Sequence, residues 1–148
     1  MQTLRRAALI AVACLALLPA GALAGAKQNA LIAHVNFVRQ ASGLRALAPS
    51  PHLNRSAARV ARWLMASQTF GHSGTINAGG GFRALGEALR LHVGGRPRYG
   101  ATVRAWLASP SHRALVLSPA FTHVGAGLAR GSFGGRLSTI WVLHLGAH

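Results

Sequence analysis

One acidic side chain, Glu87, stands among 148 residues, against sixteen Lys and Arg and no Asp at all. Average usage would supply roughly 15 to 20 acids in a chain of that length. Ion pairing therefore cannot organise this fold, and its cohesion has to come from an apolar core. The shortage also narrows the chemistry. A paired-carboxylate glycosidase, an aspartic protease and a calcium cage built from acidic side chains all need more than one carboxylate.

The apolar material is present: 51% of the residues are hydrophobic and only 11% are charged, enough to bury one sizeable core and unlike a disordered segment. The N-terminus is read separately. MQTLRR is a positive n-region, AALIAVACLALLPAG an apolar h-region broken by Pro19, and Ala22-Leu23-Ala24 an A-x-A cleavage site, so residues 1–24 read as a secretory signal peptide and 25–148 as a single domain. The lone cysteine, Cys14, lies inside that leader, where Ala11-Val12-Ala13 gives a weak lipoprotein box; otherwise the mature chain has no thiol and no disulfide. Loss of Arg5 and Arg6 leaves fourteen cations and one anion, a mature charge of +13. Such a field attracts anionic envelope polymers, lipid head groups or nucleic acid, and export argues against intracellular DNA.

Periodicity gives the order helix, helix, strand, helix with a second short helix after it, strand, strand. A first helix is expected over 28–42, with Leu31, Val35 and Val38 on one stripe and Gly43 as C-cap. Ser50 and Pro51 open a second helix, whose Leu53, Ala57, Val60, Ala61 and Leu64 face inward and whose Arg55, Arg59 and Arg62 face water. GHSGTINAGGG is a loop; a strand starts at Glu87, which shares a face with Leu89, Leu91 and Val93. Helices follow at 101–108 and from Pro110 to about Leu117, then strands near 123–130 and 138–145 joined by GSFGG. Trp63, Trp106 and Trp141 are expected in the core, and His34, His92, His123, His144 and His148 at surface or edge-strand positions.

LIAHVNFVRQASGLRAL, LNRSAARVARWL, FGHSG, the GE at 86–87, AWLASPSHRALVLSPAFTHVGAGLA and IWVLHLG, in that order, resemble the CAP superfamily of cysteine-rich secretory, antigen-five and pathogenesis-related proteins. The resemblance implies an α+β fold, a three-layer α-β-α sandwich with a small, mainly antiparallel central sheet, in the disulfide-free secreted form found in bacteria. It implies a cleft in which His72 and His112 are the histidines and Glu87 the acid, with Ser73, Ser109 and Arg113 on its rim. The chain departs from the pattern at Ala88 and Leu115, where many members have Asn, and it has no counterpart for a second cleft acid.

Two imidazoles and one carboxylate form the His₂Glu set of many catalytic zinc sites, so Zn²⁺ or another divalent cation is an expected occupant, held by His72 and His112 with Glu87 as the third candidate ligand. A binding module that takes a small ligand or a metal is the leading expectation; a small apolar ligand or sterol is a further partner that the resemblance implies. The alternatives are a metal-dependent hydrolase of peptide or cell-wall substrate, and a polyanion or nucleic-acid binder acting by charge alone. Ser73 or Ser111, each beside a histidine, would be the nucleophile of a serine hydrolase, but adjacent residues rarely face each other productively.

Overall fold

The computed structural model describes residues 20–72 and 74–148. The body of the expected leader, Cys14 included, and Ser73 lie outside the described residues. Eight elements follow one another: α1 (Ala20–Ala41), β1 (Ala48–Pro49), α2 (Pro51–Ser67), β2 (Ala84–Val93), α3 (Tyr99–Ala108), α4 (Pro110–Val116), β3 (His123–Phe133) and β4 (Arg136–Ala147). The four strands form one sheet in the order β1-β3-β4-β2, parallel only between β1 and β3. Helix α2 covers one face of the sheet, and α1, α3 and α4 cover the other. Among the described residues no helix is long and apolar enough to cross a membrane.

Local chemistry explains the boundaries. The Ser50 hydroxyl accepts the Leu53 N–H and Pro51 occupies the first helical turn, so α2 starts where its cap is. Strands β3 and β4 turn on Gly134 and Gly135, both at positive φ, which is the conformation a two-residue hairpin demands. Five elements extend beyond the expected boundaries: α1 begins at Ala20, β2 at Ala84 and α3 at Tyr99, and β3 and β4 both run closer to their shared turn. Glu87 is therefore the fourth residue of β2 rather than its first.

Two clusters fill the core. Toward α1, α3 and α4, Leu31, Val35, Trp106, Val116, Trp141, Leu143 and Leu145 pack together. Trp106 donates its indole N–H to the Leu89 carbonyl at 3.0 Å and Trp141 donates to that of Pro97 at 2.6 Å, so both burials leave no orphaned donor. Toward α2, Ala57, Ala61 and Leu64 meet Leu89, Ala129, Ile140 and Val142. Trp63 does not join them. It is 50% exposed, because it sits one residue before Leu64 and so off the inward stripe.

α2 lies close on β3. A Cβ on Gly125 would overlap the backbone of Leu53 and Asn54, and one on Gly127 the backbone of Ala57 and Ala58. Asn54 uses that proximity to accept the Ala126 N–H at 2.9 Å through its side-chain oxygen. On the opposite side, Arg39 is buried to 1% exposure without a carboxylate. Its guanidinium instead donates to the carbonyl of Arg45, just after α1, and to those of Val116 and Ser118 at the C-terminal end of α4, where the helix dipole is negative.

Gly127→Ala should therefore lower stability by about 1–3 kcal/mol, since the helix must be pushed off the sheet to admit one methyl group. Gly71→Ala, where a Cβ meets nothing, should leave the urea midpoint almost unchanged. Equal midpoints for the two variants would contradict the close approach.

Candidate functional site

Strand β2 is an edge of the sheet, and β4 lies beside it with Glu87 directly opposite His144. Side chains alternate across a strand, so His144 falls on the α2 face with Ile140 and Val142. It is fully buried, which corrects its expected place at the surface or an edge. Its Nε2 donates to Glu87 Oε2 at 2.9 Å. From the loop that follows α2, His72 reaches the other carboxylate oxygen, its Nδ1 donating to Oε1 at 2.8 Å. The carboxylate is 5% exposed, with one imidazole wholly inside and the other 59% exposed.

His144 Nδ1 has no partner and no contact with solvent. A proton there would be a buried N–H with nowhere to donate, whereas a bare lone pair costs less. His144 is therefore the neutral tautomer with its hydrogen on Nε2, pointed at Glu87. Burial, the largest single influence, pushes the Glu87 carboxyl up; the hydrogen bonds from His144 and His72 outweigh it and hold the group below its ordinary value. The only acid of the chain is thus an anion held by two histidines.

His112 comes from α4, on the opposite layer, and meets His72 around the open edge of β2, with ring centres 6.4 Å apart and planes tilted by 46°. Burial, then the neighbouring His72 and Arg90, lowers its pKa, so at neutral pH it carries no proton to spare and offers a lone pair. Leu115, one turn further along α4, packs where Gly86 has no side chain, which seats α4 against β2 beside Glu87. Thus His72, Glu87 and His112 lie around one strand edge, and His144 joins them from beneath. Ser109 and Ser111 share a hydrogen bond at 3.4 Å, and among the described residues no hydrogen bond links them or Arg113 to this group. Arg90, exposed on β2, adds to the influence of His72 on His112.

The donor set can be tested against a metal. Among the described residues no three His, Cys, Asp or Glu side chains are arranged to hold one. Both Glu87 oxygens are engaged with imidazoles. Two imidazoles on tetrahedral zinc, with nitrogens at roughly 2.0–2.1 Å, put their ring centres about 5 Å apart. The pair here is about an ångström wider, a distance the His72 loop would have to close. His72 otherwise has the right preparation: Nδ1 is on a carboxylate, which leaves Nε2 as the nitrogen open to a metal, the arrangement that orients metal-ligating histidines. Glu87 fits as the group behind His72 and not as a donor.

A model of the family described as "CAP: Cysteine-rich secretory protein family" matches residues 32–145. Solved structures share the fold. An outer surface protein of Borrelia burgdorferi is 20% identical, with a TM-score of 0.66 over 81% of this chain and 91% of that one. An extracellular protein containing an SCP domain from Bacillus anthracis is 19% identical with a TM-score of 0.65, over 85% of this chain and 42% of that longer one. Venom allergen-like protein 4 of Schistosoma mansoni is 13% identical with a TM-score of 0.62, over 82% of this chain and 90% of that one. No curated protein sequence matches the chain.

Acid should weaken the fold in two stages. The pKa values of His92 and His112 are lowered, in both cases first by burial, so the unfolded chain takes up their protons before the folded one does; their contribution is complete above the ordinary value of about 6.5 and is lost as pH falls through the folded values below it. Glu87, also lowered, adds stability above its ordinary value of 4.5 that disappears as pH drops through its folded value. Thermal midpoints between pH 8 and pH 3 should show both declines, and Glu87→Gln should remove the lower one. The same substitution should cost about 1–3 kcal/mol at pH 7, because a glutamine amide cannot accept from both histidines and leaves a buried donor unpaired. A Glu87→Gln midpoint equal to wild type would contradict the double clamp.

Proposed function

The chain belongs to the cysteine-rich secretory protein (CAP) family, and from that membership together with the imidazole pair above Glu87 we propose that it is an exported binding module. Its cleft takes a divalent cation between His72 and His112, and its basic surface holds it near anionic envelope polymers. The observation that carries this reading is the geometry of His72. Its Nδ1 is committed to the buried Glu87 carboxylate, and the ring is left exposed with its other nitrogen directed away from that anchor. His112, kept neutral by burial and by neighbouring positive charge, is its partner. Bound there, the ion would supply Lewis acidity or a fixed positive charge to a ligand in the cleft.

Export is supported by the charged, apolar and small-residue sequence of positions 1–24. Two structural neighbours are described as an outer surface protein and as an extracellular protein. Attraction to anionic polymers is supported by fourteen cations after residue 24 against one inward-facing acid. A hydrolase has less support, since the single carboxylate already accepts two hydrogen bonds and is not free to act as a general base.

Calorimetric titration with Zn²⁺ alone tests the cleft. Wild type should bind one ion, His72→Ala and His112→Ala should abolish the heat, and Glu87→Gln should weaken binding about 10- to 100-fold by freeing the His72 ring. Absence of binding by wild type, or equal binding by all four proteins, would overturn the assignment.

A further inference from the structure

Helix α2 turns Arg55, Arg59, Arg62 and Trp63 outward. Among the described residues none of these cations faces a carboxylate, because the only one is enclosed between His72 and His144. The loop after α2 folds back over this face. Its Asn77 carbonyl accepts from Ser56 Oγ at 3.1 Å and from the Arg59 guanidinium, which fixes both the loop and the arginine head. Between loop and helix lies a groove of ≈410 Å³ lined by Arg59, Val60, Trp63, Thr75 and Asn77. That volume lies in the range of small-ligand sites.

The lining combines three chemistries. Trp63 and Val60 give a flat apolar wall; Thr75 and Asn77 offer a hydroxyl and an amide; Arg59, one helical turn from Trp63, offers unused guanidinium donors that match a carboxylate or phosphate. A pyranose ring has the complementary set: a face of C–H groups for the indole, hydroxyls for the polar side, and, in an acidic sugar, an anion for the arginine. We infer that this groove is a binding site for an acidic glycan, with the sugar ring on Trp63 and its anionic substituent on Arg59, and with Arg55 and Arg62 along the helix steering the polymer. The inference rests on the proposed attraction to anionic envelope polymers and gives that attraction a place.

The wall speaks against two other polyanions. A bilayer would need a broader apolar face, and Trp63 is the only large apolar side chain that α2 exposes. Single-stranded nucleic acid is gripped by successive aromatic platforms, and the groove has one. Duplex DNA or polyphosphate would follow the arginines and ignore the indole.

Trp106 and Trp141 are buried, so a ligand in the groove reports through Trp63 alone. Polygalacturonate should change the tryptophan emission of the full chain and bind with an affinity that falls about tenfold or more in Trp63→Ala and in Arg59→Gln. Arg104→Gln, on the opposite layer, should leave that affinity almost unchanged. Neutral dextran should not bind at low concentration. Polyphosphate and duplex DNA should bind wild type and Trp63→Ala alike, with a steep loss in salt. Trp63 is half exposed and lies off the core stripe, so its removal should lower the thermal midpoint only modestly, and binding measured well below that midpoint separates loss of a contact from loss of the fold. Polygalacturonate binding that is insensitive to Trp63→Ala, or that responds equally to Arg104→Gln, would overturn the groove and leave the general charge attraction standing. Failure of wild type to bind any of the charged polymers would overturn both.

Discussion

The close seating of α2 on β3 is the constraint from which the arrangement of the site follows. Two glycines, at 125 and 127, remove the side chains that would otherwise hold the helix away. The helix then sits low enough for Asn54 to reach the Ala126 N–H, which fixes its position along the strand as well as its height. Its C-terminal end, tied to the hairpin through Gln68 and the Ser132 carbonyl at 2.8 Å, aims the following loop back toward the sheet edge. That is how His72, which belongs to no regular element, arrives above Glu87. The same hairpin carries β4 beside β2 and brings His144 to the carboxylate from inside.

A protein with one acid has to solve its electrostatics by other means, and it does so twice in its interior. At Glu87 the charge is negative, and two imidazole N–H groups stabilise it. At Arg39 the charge is positive, and three backbone carbonyls replace the carboxylate that a more usual composition would provide. Both solutions use polar groups whose orientation is set by packing. Both tie distant segments together, Arg39 joining the end of α1 to the end of α4 and Glu87 joining two strands to a loop.

Much of this was legible in the sequence. Ser50-Pro51 marked the start of α2, the alternating residues after Glu87 marked β2, and the order of motifs marked the family and its three layers. At Trp63 and His144 the phase of the element, and not the residue type, decides burial. Trp63 read as core because it is apolar, yet it lies off the stripe of Leu53, Ala57, Ala61 and Leu64 and is half exposed. His144 read as surface because it is polar, yet it keeps the two-residue phase of Ile140 and Val142 and is buried with them. The start of β2 was hidden for another reason: Gly86 leaves its place on the sheet to Leu115 of α4, and a glycine filled by another element leaves no hydrophobic signal of its own. The wider spacing of His72 and His112 depends on the approach of a loop and a helix from opposite layers, which no local pattern encodes.

Because the Glu87 carboxylate faces inward, the exterior offers guanidinium and imidazole groups but no side-chain anion to meet them. Two copies of this protein therefore have no complementary charges to exchange. The net-charge term between them is repulsive below the isoelectric point near 12. Long-range charge thus opposes the approach of two copies, and a multivalent anion lying between them would offset that opposition. The reach of that opposition would shrink with the ionic strength around the molecules.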